Sequence, residues 1–390
     1  MSSLAKITTC FDSLSPLVLR DPAGFIAHPY VVPGGFYQEL WDWDGYFISL
    51  HFARRGCPEF LKYWALTFID ASDESGYAPG CVTTAGPEPG LRSFQMKPFL
   101  AQGVALGARL LRDYAWVSER YDQIVRMATR REQTNYDSDL GLFFWDSAMP
   151  SGADDNPAVG NDPALKGLVV SPDINAFQAE EYLALSEIAS ALGRTDEAIA
   201  FVHQADTVVK AMNAHLWDEA DAILYSLRRD TREPVRRVSY SCFVPLATRL
   251  TDLSRGRRSI KRYLLNDEHM LSRFGVRSLS RQDPEYGNEK TILPYSNWRG
   301  PIWVVANWLY FQALLRYGFK VEAADLANRL AAICIADIES CGSMHENYSA
   351  ETGEPLEPCA EHSKDGREGG FVGWNLLVQD MLEIAGGTGT

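Results

Sequence analysis

Hydrophobic side chains recur every three to four residues through most of the chain, which is the period of an amphipathic helix. Six segments show this pattern most clearly, at 58–71, 97–116, 173–193, 195–217, 300–318 and 320–339. Weaker helices fit at 44–55, 118–133, 241–252, 257–266 and 371–385. Several of these segments begin at Asp, Thr or Pro and end at Gly, the usual helix boundary residues. Strand patterns are short, the clearest being 223–229, so the spacing predicts an all-α chain of eleven or twelve helices.

The predicted helices are separated by long intervals rich in Gly, Pro, Asp and Trp, at 72–97, 136–172, 267–299 and 338–370. Loops of this length in a compact domain are usually functional. No linker or charge block divides the chain, so residues 1–390 are predicted to form a single domain. A dozen helices with long loops between pairs fit a toroid of six helical hairpins, the (α/α)6 barrel. An α-solenoid is the alternative, although no repeat of fixed period is visible.

Composition narrows the classes of partner. Hydrophobic residues make up 46% of the chain, enough for a sizeable core, and the net charge of −14 disfavours nucleic acid. The seven Cys are scattered without a CxxC pair, which fits a reducing cytoplasm. No apolar run approaches the length of a membrane span, and the first residues do not resemble a signal peptide. We therefore expect a cytoplasmic protein without a membrane partner; its oligomeric state cannot be inferred.

Four stretches combine aromatic rings with acids or Arg, which is the chemistry of sugar binding. They are VVPGGFYQELWDWDGYF (31–47), FFWDSAMPSGADDNPA (143–158), PYSNWRGPIW (294–303) and MHENYSAETGEP (344–355). The apolar faces of sugars stack on Trp and Tyr, whereas the hydroxyls bind carboxylates, amides and guanidinium groups. Cleavage of a glycosidic bond also needs two carboxyl groups, one as proton donor and one as base or nucleophile.

Each feature also has a structural interpretation. Trp41 and Trp43 could belong to the core, and Asp154 and Asp155 could simply form a turn. Glu346 and Arg299 could be a solvated acid and a structural ion pair. The joint occurrence of these features in long loops favours the functional interpretation. Neither a metal-ligand spacing nor a phosphate-binding Gly motif nor a GxSxG motif occurs, so no cofactor and no metal are expected.

The motifs resemble those of a clan of inverting α-glycosidases. Residues 33–47 are similar to the trehalase signature, roughly PGGRFxExYxWDxYF. The stretches YSNWRGPIWVVANWLY and DINAFQAEEYLALSEIASALG resemble the processing α-glucosidase I family and its bacterial glucosylglycerate and mannosylglycerate hydrolase relatives. PSGADDNPA is similar to the SGxDNSP segment of that group, and ENYSAETGEP with GGFVGWNLL is similar to its carboxyl-terminal motifs. The resemblance covers about Pro33 to Trp374.

This resemblance implies an (α/α)6 barrel that hydrolyses α-glycosides with inversion, with Asp154 as general acid and Glu346 as general base. It also implies a set of sugar-binding residues: Tyr37, Trp43, Asp44, Asp155, Asn297, Trp298, Arg299 and Trp374. Asp155 remains a rival for the acid. The expected substrate is a small α-glucoside or α-mannoside, for example a glycosylglycerate. If the aglycone is an acid, the cations available to receive it include Lys97, Arg92 and Lys364.

Departures from the family pattern shape the alternatives. The Arg of the trehalase PGGR is Phe36 here, and the trehalase QWDxPxGWAP block is absent, so a trehalase is the second choice. The chain is also short for an N-glycan processing enzyme, which favours a small substrate. Two further alternatives are a sugar epimerase or isomerase on the same toroid, which would use His345, and a carbohydrate-binding protein without activity.

Overall fold

The structure is a computed structural model that describes residues 2–34, 37–87, 94–248, 252–288, 296–356 and 370–387. Helices account for most of the regular structure in these ranges. They are α1 (Ser3–Leu14), α2 (Asp42–Arg54), α3 (Glu59–Asp70), α4 (Leu100–Leu111), α5 (Ala115–Thr129), α6 (Arg131–Thr134), α7 (Pro172–Ala191), α8 (Thr195–His215), α9 (Val244–Ala247), α10 (Leu253–Ser259), α11 (Val304–Arg316), α12 (Lys320–Cys341) and α13 (Leu377–Gly387).

All six strongly periodic segments form helices, which are α3, α4, α7, α8, α11 and α12. The prediction for 241–252 is wrong in length, because α9 covers only Val244–Ala247 and the backbone becomes extended at Thr248. The segment predicted at 257–266 is the end of α10 followed by a π-helical turn at Ile260–Leu264. Helix α1 was not predicted; Ser2 caps it and Ile7, Phe11 and Leu14 face the core.

Within the described ranges, short strands of two to four residues lie between the helices and form four small sheets. A three-stranded sheet joins β3 (Leu40–Trp41), β4 (Cys81–Thr83) and β5 (Gly86–Pro87). A five-stranded sheet has the order β12-β11-β8-β7-β6, and its members are β6 (Tyr136–Asp137), β7 (Leu142–Trp145), β8 (Val169–Val170), β11 (Ser226–Arg228) and β12 (Pro234–Val235). Two pairs complete the set: β1 (Leu19–Arg20) with β2 (Tyr30–Val31), and β9 (Trp217–Asp218) with β10 (Ile223–Leu224). The strand predicted at 223–229 is thus divided between β10 and β11.

Six helices contact one another in a closed order. Helix α4 contacts α2 and α7, α9 contacts α7 and α11, and α13 contacts α11 and α2. Helices α3, α5, α8 and α12 pack against members of this ring, and α1 packs on α12 and α13. An open solenoid would leave its first and last helices apart, whereas here α13 returns to α2. The six-hairpin toroid remains a prediction, which this order supports.

Buried apolar side chains from α1 through α13 form one contiguous cluster. Of the helices in the described ranges, none combines the length and the apolar composition that a bilayer-spanning segment requires. The cluster extends to the amino-terminal ends of α2 and α11, where the rings of the predicted site begin.

Candidate active site

Several predicted site residues lie at or just before the amino-terminal ends of ring helices. Trp43 and Asp44 are in the first turn of α2, and residues 296–303 lead directly into α11. Trp374 lies in a 3-10 turn at Gly373–Leu376 that continues into α13. Residues far apart in sequence therefore meet at one end of the helical ring, because each loop returns there.

Aromatic rings form the centre of this region. The Trp43 ring lies 5.6 Å from Trp374 and 6.1 Å from Trp298, measured between centroids. Trp298 stacks on Trp303 at 4.3 Å with an interplanar angle of 9°. Tyr37 joins the cluster through an edge contact with Phe371, which in turn packs on Trp374 at 4.8 Å. The structure thus brings together four of the predicted sugar-binding residues, Tyr37, Trp43, Trp298 and Trp374.

Two ring nitrogens in this cluster face no protein acceptor. The indole N–H groups of Trp298 and Trp374 are buried and have no hydrogen-bond partner among the described residues. A buried polar group without a partner is costly and calls for an explanation. A sugar hydroxyl or a water molecule would accept these hydrogen bonds, so the cluster combines apolar faces with unsatisfied donors, as a sugar subsite requires.

The 149–156 loop carries Asp154, which is 6% exposed. It begins as a 3-10 turn at Met149–Ser151 and reverses at Gly152, whose φ is +86°. A Cβ at Gly152 would stand 2.6 Å from Cζ2 of Trp43 and 2.8 Å from Cε of Lys97. Only a glycine allows this backbone conformation together with this close approach. The loop therefore packs directly against Trp43, and Asp154 follows two residues later.

Asp155 differs from Asp154 in its contacts. Its Oδ1 accepts the backbone N–H of Trp298 at 2.6 Å, and its Oδ2 lies 3.3 Å from Nε of Arg299. Both oxygens of this carboxylate, which is 2% exposed, therefore hold the 149–156 loop to the 296–303 segment. This geometry gives Asp155 a structural role, and the choice between Asp154 and Asp155 as the acid stays a prediction.

A buried polar network holds the 149–156 loop through Asn156. Asn156 donates to Ser241 Oγ at 2.8 Å, and Ser241 donates to Asp173 Oδ2 at 2.9 Å. Asp173, at the start of α7, also accepts from Ser171 and from the indole of Trp145. Burial raises the pKa of Asp173, and these hydrogen bonds oppose that effect.

The 296–303 segment uses several of its polar groups internally. Asn297 donates to the Gly287 carbonyl and its side-chain oxygen accepts the backbone N–H of Arg299 at 2.7 Å. Arg299 also contacts Glu285, with 2.9 Å between Nη1 and Oε2. These contacts give Asn297 and Arg299 a clear role in shaping the segment, and their direct contact with a sugar stays a prediction.

The 344–348 segment carries Glu346, which is 8% exposed. Tyr348 exchanges both backbone hydrogen bonds with Ile302, at 2.8 and 3.0 Å. The His345 carbonyl accepts from Asn375 Nδ2 at 2.8 Å, beside Trp374. The backbone on either side of Glu346 is therefore held by the 296–303 segment and by the turn that carries Trp374, and those same elements contact the 149–156 loop and Trp43.

Lys97 is the predicted cation that the structure places in this region. Its ammonium group lies 3.1 Å from Asp42 Oδ1 and 5.1 Å from the centre of the Trp43 ring. Asp42 also accepts the backbone N–H groups of Lys97 and Trp43, both at 2.7 Å. Lys97 shares a narrow cleft with Asp44. Arg92 and Lys364, the other predicted cations, and Phe36 lie outside the described residues.

Most of the chain matches a known protein family. Residues 37–365 match the family model described as "Mannosylglycerate hydrolase MGH1-like glycoside hydrolase domain". The chain belongs to this family. The match includes every predicted site residue except Trp374, which follows it.

Curated relatives of this MGH1-like domain are much longer proteins. The mannosyl-oligosaccharide glucosidase of Saccharomyces cerevisiae is 28% identical over 253 residues, which are 60% of this chain and 28% of that protein. The probable mannosyl-oligosaccharide glucosidase of Schizosaccharomyces pombe is 26% identical over 243 residues, again 60% of this chain and 28% of the relative. The chain thus spans less than a third of the length of these two relatives.

Solved structures share the fold of the MGH1-like domain at low sequence identity. The GH63 mannosylglycerate hydrolase from Thermus thermophilus in complex with glucose superposes with a TM-score of 0.72 at 17% identity, covering 98% of this chain and 100% of that one. The neutral trehalase of Saccharomyces cerevisiae gives a TM-score of 0.67 at 13% identity, covering 100% of this chain and 80% of that one. At these identities the likeness shows the fold alone.

Sequence reasoning missed two polar residues beside Glu346 in the MGH1-like domain. Asp337, about one turn before the end of α12, accepts hydrogen bonds from the 344–348 segment. Asn347 is 1% exposed, and neither polar atom of its side chain has a partner among the described residues. Asp337 had no visible signal, because it lies within an ordinary helical pattern, whereas Asn347 stands next to the predicted base.

One group of side chains in the described ranges offers the ligand types of a metal site. Atoms of Asp337, Cys341 and His345 lie within 4.8 Å of one another. However, both oxygens of Asp337 already accept hydrogen bonds from His345 and Tyr348. The chemistry of this carboxylate is therefore accounted for by hydrogen bonding within the protein.

Proposed function

We propose that the protein is an inverting, exo-acting α-glycoside hydrolase built on an (α/α)6 barrel in a single domain. The proposal rests on two buried carboxyl residues, Asp154 and Glu346, each on a segment that contacts an element of the ring cluster of Trp43, Trp298 and Trp374. Membership of a glycoside hydrolase family supports it. Two carboxyl groups around a sugar subsite are the minimum that this chemistry needs.

In the proposed mechanism Asp154 acts as the general acid. Its proton passes to the glycosidic oxygen while the bond from this oxygen to the anomeric carbon breaks. The loop that bears Asp154 packs on Trp43 through Gly152, which would hold the acid beside a sugar stacked in the ring cluster. Asp155 keeps the loop in place through Trp298 and Arg299 rather than transferring a proton.

Glu346 acts as the general base in the same step. A water molecule attacks the anomeric carbon from the face opposite the leaving group, and its proton passes to the Glu346 carboxylate. Such a reaction inverts the anomeric configuration and requires the two carboxyl groups to lie about 6.5–9.5 Å apart, so that water fits between them. Asp44 would bind sugar hydroxyls from the first turn of α2, and the indole N–H groups of Trp298 and Trp374 would donate to others.

The proposed substrate is a small α-glucoside or α-mannoside, with a glycosylglycerate as one candidate. One similar structure is that of a mannosylglycerate hydrolase in complex with glucose, and another is that of the same enzyme with Tris and D-glycerate. Those ligands belong to that enzyme, and they make the same class a reasonable first choice here. A trehalase is the second candidate, since a neutral trehalase has a similar fold.

A substrate panel tests this proposal. Purified protein is incubated with glucosylglycerate, mannosylglycerate, trehalose, kojibiose and nigerose, and released sugar is measured. We expect hydrolysis of one glycosylglycerate or α-gluco-disaccharide, with a weaker response to trehalose. Conversion of a free sugar without release of an aglycone would instead indicate an epimerase or isomerase. Binding without turnover across the panel would indicate a carbohydrate-binding protein.

A further inference from the structure

The carboxylate of Asp337 holds both residues that flank the Glu346–Asn347 pair. Asp337 lies about one turn before the end of α12 and is 4% exposed. Its Oδ2 accepts the backbone N–H of His345 at 2.9 Å and the hydroxyl of Tyr348 at 2.8 Å. Nδ1 of His345 lies 2.8 Å from its Oδ1. One buried carboxylate thus ties the chain immediately before Glu346 and two residues after it.

The same two residues, His345 and Tyr348, are also held from other parts of the chain. Tyr348 pairs with Ile302 in both directions, and Asn375 binds the His345 carbonyl. Burial, together with the nearby Cys334 and Asp337, raises the pKa of Tyr348, so its hydroxyl remains a hydrogen-bond donor at any working pH. Without Asp337 the pairing at Tyr348 and the Asn375 contact would remain, while the backbone N–H and the imidazole of His345 would lose their acceptor.

We infer that Asp337 is a positioning residue for the general base Glu346. The carboxylate orients the short turn from which Glu346 projects, and so sets the direction from which water is activated. This inference rests on the proposed function of Glu346. A displacement of about 1 Å in a catalytic group can cost about 100-fold in rate, so a support of this kind is expected to act on kcat and not on sugar binding.

The test uses a substrate whose leaving group needs no proton, so that the role of the base can be measured separately from the role of the acid. In an α-glycosyl fluoride the C–F bond breaks to release fluoride, which needs no proton, while water still forms the new C–O bond and gives its proton to Glu346. Asp337→Asn is therefore compared with the wild type on the best substrate of the panel and on the matching glycosyl fluoride. Asp325→Asn, on the exposed part of the same helix and paired with Arg329, is the control.

We expect Asp337→Asn to lower kcat about 10- to 100-fold on both substrates, with KM changed by less than about threefold. Asp325→Asn should match the wild type. A kcat for Asp337→Asn within about threefold of the wild type would overturn the inference, as would a loss confined to the glycoside or expressed only in KM. Because every rate is relative to the wild type, a wild type that hydrolyses nothing would contradict the proposed function and not this inference alone.

Tyr348→Phe provides a second variant in case Asp337→Asn does not fold. It removes one donor from Asp337 while keeping the buried ring, and its unfolding temperature shows whether the fold is intact. A folded Tyr348→Phe should lose about three- to tenfold in kcat on both substrates; wild-type rates would count against the inference. If treatment of the wild type with a chelator reproduced the loss, the cluster with Cys341 would be a metal site and the positioning role would be wrong.

Discussion

The 149–156 loop and the 344–348 segment carry the two proposed catalytic carboxyl groups, but they are held by different kinds of contact. The first is supported by side chains and by a glycine: Gly152 packs on Trp43, Asp155 binds Trp298, and Asn156 enters the network of Asp173. The second is supported by backbone pairing with Ile302, by the Asn375 side chain and by the buried carboxylate of Asp337.

The difference indicates how each region tolerates change. Side-chain support can be removed one residue at a time, so variants in the 149–156 loop should show graded losses of stability and activity. Backbone pairing survives most substitutions, so variants in the 344–348 segment should affect activity mainly through Glu346 and its anchor. Substitutions in the two regions test this contrast, and those of the catalytic carboxyl groups should have the largest effect.

Replacement of the proposed acid and of the proposed base should give the largest difference in activity between the two regions. Asp154→Asn should lower kcat on a glycoside about 10³-fold and recover much of the rate on a glycosyl fluoride, whereas Glu346→Gln should be slow on both. Asp162→Asn, an exposed helix cap shortly after the same loop, is the control for Asp154. Equal behaviour of the two catalytic variants on the fluoride would contradict the assignment of acid and base.

Gly152→Ala tests the packing of the loop on Trp43. The added methyl group would meet Trp43 and Lys97 at less than 3 Å in a left-handed backbone conformation. We expect a loss of about 1–3 kcal/mol in the free energy of unfolding and about a 10- to 100-fold loss in kcat. Gly160→Ala is a matched control, because it has φ of +77° and nothing within 4 Å of its Cβ position; it should share only the backbone strain.

Asp155→Asn tests whether Asp155 is a support rather than an acid. The amide can accept the Trp298 N–H but loses its charge interaction with Arg299. Urea unfolding should show a loss of about 1–2 kcal/mol, and activity should fall about tenfold on the glycoside and the fluoride alike. Rescue on the fluoride alone would return the acid role to Asp155.

The support beneath the 149–156 loop should also depend on pH. The pKa of Asp173 is raised above its ordinary value of 3.8 by burial, so the folded protein holds this proton more tightly than the unfolded chain. Stability from this group is therefore present at low pH and falls as pH rises from about 3.8 through the raised pKa. Unfolding of the wild type and Asp173→Asn across this window should show the wild type losing its relative advantage. A relative advantage that grows with pH would contradict this sign.

The sequence predicts the strongly periodic helices because their apolar spacing is dictated by burial against neighbouring helices. It fails where a few long-range contacts decide the outcome. The end of α9 is set by the extended backbone at Thr248, and strands of two residues exist only because a distant partner pairs with them. Helix α1 is different, because Ile7, Phe11 and Leu14 do have the helical spacing that predicts it.

The site follows the same rule. Aromatic rings and acids that occur together in long loops predict the cluster of Trp43, Trp298 and Trp374, because this combination is typical of sugar-binding sites. The buried contacts of Asp337 cannot be predicted from the sequence, since an Asp near a helix end usually faces solvent. Only the return of the chain after α12 brings it to His345 and Tyr348. The sequence thus predicts which residues are candidates for ligand binding, but it does not predict the residues that position them.

The central claim is that Asp154 and Glu346 act from opposite faces of an α-glycoside. Proton NMR of the reaction with the best substrate, recorded before the released sugar mutarotates, tests this most directly. We expect the β-anomer to appear first, because inversion converts an α-glycoside into a β-sugar. First appearance of the α-anomer would mean retention of configuration and would contradict the assignment of Glu346 as the base that activates water.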